Sequence, residues 1–131
     1  MAQPPAWTPA QEAALRQQID EGHCGALPPS LLAPMAWAQR ARDAALAASM
    51  VSAPAGARVV LIAGNGHVRR DTGVPHYLQA APTGGMVSIG FLERDVGGAR
   101  VSESPYDEVW YTAPAERPDP CAAWRPPSAA K

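Results

Sequence analysis

The apolar positions of this chain fall into short blocks separated by breaks rich in glycine and proline. Residues 59–62 form an unbroken aliphatic run, Val-Val-Leu-Ile, that is too short for a typical helix and is rich in β-branched side chains. This pattern predicts a buried parallel strand over residues 58–63. Two further apolar stretches, residues 86–92 and 107–112, predict a second and a third strand.

Helical periodicity and capping signals predict three helices. Thr8, Pro9 and Gln11 indicate a capped helix start, and that helix is expected to run to about residue 21. The longest helix is predicted from about residue 30 or 34 to residue 50, and a third from residue 72 to about residue 81. The order strand, helix, strand around this third helix is typical of a right-handed βαβ unit. We therefore expect an α/β fold with a small open, mostly parallel sheet of about three strands flanked by helices.

A glycine turn follows the first predicted strand and presents a histidine. Gly64, Asn65 and Gly66 precede His67, and in open α/β sheets ligands bind just beyond the carboxyl ends of the strands. An imidazole there could ligate iron or a divalent metal, and flanking glycines allow a flat ligand to approach the backbone. The alternative is a histidine that is hydrogen-bonded into the loop and shapes the turn.

Polar side chains on the long helix provide further candidates. Gln39, Arg42 and Asp43 lie in one stripe of that helix together with apolar residues. Because a buried charge needs a partner, these residues either form a polar wall of a ligand pocket or an internal network that orients the His67 loop.

Four more residues have both a functional and a structural interpretation. Arg69 and Arg70 could hold propionates or other carboxylates, or they could be a solvated basic pair. His23 could face a pocket or cap a turn, and Tyr77 could be a phenolate ligand of ferric haem or a helix-packing residue.

Composition and motifs exclude several classes of function. With 11 basic and 12 acidic residues the net charge is −1, which gives no basis for binding nucleic acid. No apolar run is long enough for a transmembrane helix. The third glycine of a dinucleotide-binding motif is replaced by Arg69, and no serine lies in a nucleophile-elbow motif. The sequence therefore favours a protein that is not an enzyme.

Three segments resemble one known family. The stretch LIAGNGHVRRDTGVPHYL at residues 61–78 is similar to the C-terminal part of the ChaN-like haem-binding domain of the haem-binding uptake, Tiki superfamily. The segments GHCGALP at 22–28 and MAWAQRARDAALA at 35–47 are similar to the same family, so the resemblance covers most of residues 9–113. The Gly-Glu-x-His motif that begins the family's domain has no counterpart here. The chain thus looks like the C-terminal half of a larger domain.

The resemblance implies a haem-binding protein of iron or haem uptake, with His67 at the ligand site. The alternative implied by the wider superfamily is a fragment of a metal-dependent hydrolase, inactive alone, whose divalent metal would be held by His67. The expected partners are haem and either further copies of the chain, since a small sheet leaves unpaired edges, or a missing N-terminal half.

The resemblance also bears on organisation and location. It implies a half-domain over residues 1–113, followed by a proline-rich irregular tail over 114–131. Family members are often exported or lipid-anchored, which implies the cell envelope or periplasm. This sequence shows no export signal or lipobox, so a cytoplasmic location is expected if it is complete. Cys24 and Cys121 could form a bridge in the envelope or remain free thiols.

Overall fold

The computed structural model describes residues 6–79, 85–94 and 104–123. In this part of the chain, three α-helices are followed by a two-stranded parallel sheet, which confirms the predicted α/β class. The helices are α1 (Pro9–Gly22), α2 (Pro29–Val51) and α3 (Val74–Leu78). The strands are β1 (Ile89–Glu93) and β2 (Glu108–Thr112), and a short 3-10 turn, Asn65–Val68, precedes α3.

Helix α1 begins where its capping signals place it. The hydroxyl of Thr8 accepts a hydrogen bond from the backbone N–H of Gln11, and the Gln11 side chain accepts one from the backbone N–H of Thr8. This reciprocal pair satisfies two backbone donors that a helix start would otherwise leave unpaired. The capping box therefore forms as predicted, and the helix ends within one residue of its expected end.

Helix α2 is the longest element and supports most of the others. It packs against α1 and α3, and its Arg40 forms an ion pair with Glu12 of α1 and lies over the ring of Trp7. The hydrophobic core lies between α2 and α3, where Ala47, Val74 and Leu78 are buried. Leu46, Met50, Leu61, Tyr77 and Met86 pack around these three residues.

The prediction of a buried strand over residues 58–63 is wrong. The segment has no regular secondary structure and belongs to no sheet, and 82% of Val60 and 94% of Ile62 are exposed. Leu61 alone of the aliphatic run packs against the core. The backbone N–H and C=O groups of Phe91 in β1 are bonded to the side chain of Asn65 and not to this segment. Without a neighbouring strand, the expected βαβ unit does not form.

The two remaining predicted strands do form and are parallel. β1 pairs with β2 in a register that places Phe91 opposite Trp110, and the two rings meet edge to face at 5.5 Å. The sheet therefore has two strands in the described residues rather than the expected three. The connection between β1 and β2 falls largely at residues 95–103, outside the described part of the chain.

The two cysteines form a disulfide. Cys24 lies just after α1 and Cys121 lies in the tail, and their Cα atoms are 5.5 Å apart. A second attachment of the tail is the ion pair between Arg117 and Glu93 at the end of β1. The sequence left open whether these cysteines form a disulfide or remain free thiols, and the structure has the disulfide.

Some predictions fall outside the described residues: the end of the third helix near residue 81, the turn at 82–84 and the last part of the tail. Among the described helices, none is long and apolar enough to cross a membrane.

Candidate functional site

The turn that carries His67 folds back on itself directly after the exposed segment. The backbone carbonyl of Gly64 accepts a hydrogen bond from the His67 N–H at 2.9 Å, which forms the 3-10 turn. The chain then reverses, and the N–H of Gly73 donates to the carbonyl of Arg69 at 3.0 Å. The imidazole is thereby directed toward helix α2.

Gly73 makes this reversal possible because no side chain fits at its position. A Cβ atom there would lie 2.3 Å from the carbonyl oxygen of His67 and 2.8 Å from that of Arg69. Both contacts are with backbone, which cannot rotate away. By contrast, the space around Gly64 and Gly66 is open, so the glycine that the His67 turn requires is Gly73.

His67 meets the polar stripe of α2. Its Nδ1 lies 2.5 Å from Oδ1 of Asp43. The amide nitrogen of Gln39 lies beside the ring, 3.1 Å from Nδ1 and 3.2 Å from Nε2, and Nε2 is the nitrogen that can accept from it because Nδ1 already donates to Asp43. The side chain of Asp43 is 2% exposed and that of His67 is 19% exposed. When Asp43 is ionised it can only accept hydrogen bonds, so Nδ1 carries the proton and Nε2 is left with a lone pair.

The orientation of Gln39 is fixed from its other side. Arg42 donates to Oε1 of Gln39 at 3.3 Å, which turns the amide N–H₂ group toward the imidazole. Arg42, Gln39, His67 and Asp43 thus form one continuous chain of hydrogen bonds. The adjacent residues Arg42 and Asp43 have separate partners within it, Gln39 and His67.

Burial raises the pKa of the Asp43 carboxyl above its ordinary value, even though the hydrogen bond and charge of His67 and the charge of Arg42 act to lower it. The carboxylate therefore depends on its imidazole partner to remain ionised inside the protein. A buried carboxylate that receives the Nδ1–H of a histidine is the usual arrangement for orienting a histidine whose other nitrogen is a ligand.

Asn65 attaches the turn to the sheet. Its side-chain amide donates to the carbonyl of Phe91 at 2.5 Å and accepts from the Phe91 N–H at 3.2 Å, as a neighbouring strand residue would. The hydroxyl of Tyr106 donates to the backbone carbonyl of Asn65 at 3.2 Å. Burial raises the pKa of the Tyr106 phenol, which keeps this hydroxyl protonated as a donor. Asn65 thus has a positioning role that the sequence did not indicate.

Arg69 and Arg70 both have carboxylate partners within the chain. Arg69 forms a two-bond ion pair with Asp71 at 2.9 and 2.6 Å, and Arg70 contacts both oxygens of Asp107 at 2.7 Å. Burial acts to raise the pKa of Asp71, but the hydrogen bonds and charge of Arg69 outweigh it and hold the pKa below its usual range. The backbone N–H of Ser88 and the Arg70 guanidinium lower the pKa of Asp107.

His23 and Tyr77 have structural contacts away from this chain of hydrogen bonds. The ring of His23 lies 2.6 Å from the carbonyl of Ile19, at the end of its own helix. Tyr77 packs against the core and meets the ring of His76 edge to face. These contacts fit the capping and packing interpretations, and the ligand role of each residue stays a prediction.

The residues that sequence reasoning missed are those that hold the turn in place. Asp107 receives the Ser88 N–H at 2.7 Å while it pairs with Arg70, and the Ser88 hydroxyl donates to the carbonyl of Val68. The need for glycine at position 73 was also missed, because it arises from the close approach of the His67 backbone, which only the folded turn shows. The only available signal was the position of Asp107 at the start of a predicted strand.

The described residues were also compared with two kinds of ligand site, a groove for a small molecule and a cluster of metal ligands. A half-open groove of about 180 Å³ lies between α1 and α2, away from His67. It is lined by Glu12, Leu15, Arg16, Ala33, Ala36, Trp37 and Arg40. Within the described ranges, no three side chains of His, Cys, Asp or Glu are grouped as ligands of a metal ion.

Comparison with known families gives a match over more than half of the chain. The family model described as haem-binding uptake, Tiki superfamily, ChaN matches residues 1–78. The chain belongs to this family. The match includes α1, α2, the His67 turn and α3, and it ends at Leu78, before β1, whereas the resemblance was expected over most of residues 9–113. Which portion of the ChaN domain the chain represents stays a prediction.

No curated protein and no solved structure matches the chain. Membership of the ChaN family therefore stands on the family model, and the roles of individual residues stand on the geometry described above.

Proposed function

We propose that this chain binds haem through the Nε2 atom of His67 and takes part in haem or iron handling without being an enzyme. The observation that carries the proposal is the Asp43–His67 pair. It fixes the proton on Nδ1, so Nε2 has the lone pair that an iron ligand needs. The Gln39 amide, which lies 3.2 Å from Nε2, would have to move away from the ring for iron to bind there.

Haem requires fewer donor side chains than a divalent metal ion does. A porphyrin supplies the equatorial ligands of its iron, so one imidazole suffices to attach it, whereas a divalent cation requires several donor side chains. When bound, the haem would supply an iron centre, which His67 would hold through Nε2 while Asp43 orients the ring. Carboxylate recognition by Arg69 or Arg70 would require an exchange of partners, because each guanidinium is already paired.

We also propose that the protein works in the cell envelope and associates with further copies of itself. The Cys24–Cys121 disulfide supports an oxidising compartment, because disulfides persist there and are reduced in the cytosol. The exposed apolar segment at residues 59–62 supports self-association.

Titration with hemin tests the haem proposal. Addition of hemin to the purified chain is expected to give a Soret band, and His67→Ala is expected to weaken hemin binding by about tenfold or more, since about 1.4 kcal/mol corresponds to that factor. Asp43→Asn is expected to weaken it by a factor on the order of 10 to 100, as for other residues that orient a ligand.

His23→Ala is the matched control, because the ring of that histidine lies against the carbonyl of Ile19 in its own helix, away from His67. It is expected to bind hemin like the unmodified chain. Equal binding by all variants, or no spectral change with any of them, would reject the haem proposal. A purified protein that retains a divalent metal and takes up no hemin would favour the hydrolase-fragment alternative.

A further inference from the structure

Arg42 differs from the two arginines of the His67 turn in its partner. Arg69 and Arg70 are each held in an ion pair with an aspartate. Within the described ranges Arg42 forms no ion pair, and its guanidinium donates to the neutral amide oxygen of Gln39 at 3.3 Å, which is long for an N–H···O hydrogen bond. Because Arg42 is exposed and a guanidinium has five N–H donors, most of its hydrogen-bonding capacity is open to a ligand.

Gln39 connects this guanidinium to the nitrogen that iron would bind. Its amide oxygen accepts from Arg42, and its amide nitrogen lies 3.1 Å from Nδ1 and 3.2 Å from Nε2 of His67. The oxygen and the nitrogen belong to one planar amide group, so the orientation that presents the oxygen to Arg42 also presents the N–H₂ group to the ring. Arg42 therefore holds the Gln39 amide beside Nε2.

We propose that Arg42 binds a carboxylate of the ligand and that this exchange of partners releases the Gln39 amide from the imidazole. The ligand class is a metalloporphyrin that carries free carboxylates. The inference rests on the proposed haem-binding function and deepens it, because it assigns the charged group that distinguishes such a ligand from an uncharged porphyrin. Arg42 and Gln39 then act together as a latch that the carboxylate opens.

The exchange of partners favours the carboxylate. Arg42 gives up a long hydrogen bond to a neutral oxygen and gains bonds to an ionised group, which are shorter and about twice as strong. A carboxylate can also accept two parallel bonds from the planar guanidinium, which a single amide oxygen cannot do. Gln39 is only partly buried, so water is available to its amide once Arg42 has turned away.

Arg69 and Arg70 are less suited to this role. Each of them contacts both oxygens of its aspartate or bonds to them through two nitrogens, at distances between 2.6 and 2.9 Å. A ligand carboxylate would have to displace another carboxylate from either residue, with no gain in the type of bond. Asp43, the acidic neighbour of Arg42 in sequence, is bonded to His67. Arg42 is thus the guanidinium at the site whose charge is available.

A comparison of two porphyrins tests the role of Arg42. Hemin and hemin dimethyl ester, in which both propionates are methylated, are titrated into the full chain in the same detergent. The unmodified chain is expected to bind hemin at least about tenfold more tightly than the ester, because only hemin offers an ionised partner. In Arg42→Gln this ratio is expected to fall toward one, and Arg42→Lys is expected to be intermediate, since it keeps the charge without the planar donors.

Arg16→Gln is the matched control. It removes one positive charge from an exposed arginine of α1, which lines the groove away from His67, and it is expected to keep the hemin-to-ester ratio of the unmodified chain. A ratio of one in the unmodified chain, or equal losses in Arg16→Gln and Arg42→Gln, would overturn the role of Arg42 and leave the haem proposal in place. Failure of both porphyrins to bind would reject the two proposals together.

A measurement without porphyrin tests the latch itself. Diethyl pyrocarbonate acylates an unprotonated imidazole nitrogen, and peptide mapping by mass spectrometry separates the reaction of His67 from that of the other two histidines. Gln39→Ala is expected to accelerate the modification of His67 about threefold or more, because its Nε2 is then uncovered. Arg42→Gln is expected to accelerate it by less, since the amide is still present but no longer held.

His76 serves as the internal reference, because it is 3% exposed and reacts only when the core opens. Faster modification of His67 with an unchanged rate at His76 would support the latch. An unchanged rate at His67 in Gln39→Ala, or a parallel increase at both histidines, would overturn it, since the second result indicates a loosened fold.

Discussion

The His67 site and the neighbouring segment at residues 58–63 are opposite in their burial. At the site, the carboxylate of Asp43 is almost completely buried, with an imidazole as its partner. In the segment, Val60 and Ile62 are almost completely exposed, although their side chains are among the most apolar. Only a few residues separate the two regions in sequence.

This difference shows that the available partners decide what is buried in this protein. Asp43 lies on the face of α2 that meets the His67 turn, so burial costs it less than it would an unpaired carboxylate. Val60 and Ile62 lie on the side of the segment that no described element covers. Polarity alone would have predicted the reverse for both.

Removal of the buried carboxylate is expected to have the largest effect. Asp43→Ala leaves the imidazole of His67 without its acceptor in a largely buried position, and we expect a loss of about 3–5 kcal/mol in the free energy of unfolding. Urea denaturation at neutral pH measures it. Glu12→Ala breaks an exposed ion pair with Arg40 and is expected to cost at most about 1 kcal/mol. Similar losses in the two variants would show that the buried Asp43–His67 pair contributes no more to stability than an exposed ion pair.

A methyl group at the reversal of the turn is expected to have the next largest effect. Gly73→Ala places a Cβ atom against the carbonyl of His67, and the required backbone shift is expected to cost about 1–3 kcal/mol. Gly66→Ala meets open space and is expected to be neutral or slightly stabilising. Thermal or urea unfolding compares the two. If Gly66→Ala is the more damaging variant, the role assigned to Gly73 is wrong.

Substitutions on the two faces of the aliphatic run at residues 59–62 are expected to differ in their effect on stability. Leu61→Ala removes contacts with the core and is expected to cost about 1–2 kcal/mol, since the side chain is only partly buried. Ile62→Ala removes an exposed side chain and is expected to change stability by less than about 0.5 kcal/mol. Both are to be measured by urea unfolding at concentrations where the chain is monomeric. Equal losses would indicate that Ile62 is covered in solution.

The smallest effect is expected from the two carboxyls whose pKa values shift in opposite directions. Asp107 has a lowered pKa in the folded state, so its contribution is present above its unfolded pKa of about 3.9 and is lost as the pH falls below that value. Asp107→Asn is therefore expected to cost about 1 kcal/mol at neutral pH and nothing in strong acid.

Asp43 contributes to the pH dependence of stability with the opposite sign, because its pKa is raised in the folded state. The folded protein then binds the proton more tightly, and stability increases as the pH falls through the raised pKa toward about 3.9. Unfolding curves over a pH series measure both contributions. A loss in Asp107→Asn that is independent of pH would show that the ion pair with Arg70 is not its source.

Local features of the structure could be read from the sequence, while long-range contacts could not. Thr8 and Gln11 form the predicted capping box because all the atoms involved lie within one helical turn. The strands at 86–92 and 107–112 were placed to within a few residues by their apolar and β-branched side chains. The strand predicted at 58–63 failed because a strand needs a neighbour, and the sequence of a segment does not say whether one is present.

The candidate site was predicted in the same uneven way. The sequence placed His67 after a glycine turn and Gln39, Arg42 and Asp43 in one helical stripe, because both features depend on local geometry. That the stripe and the turn meet was one of two interpretations left open. The ion pair of Arg70 was not foreseen because Asp107 is distant in sequence, whereas the pair of Arg69 with Asp71 was missed although the two are only two residues apart.

The sequence by itself determined the helices, the β-branched stretches and the turn that ends in His67, because backbone propensity and capping act over a few residues. Only the tertiary structure decided that Asp43 receives the His67 imidazole, that Cys24 meets Cys121, and that Val60 and Ile62 remain uncovered. The physical reason is that burial and pairing are properties of two surfaces in contact. Each surface is encoded locally, but their meeting depends on the path of the whole chain.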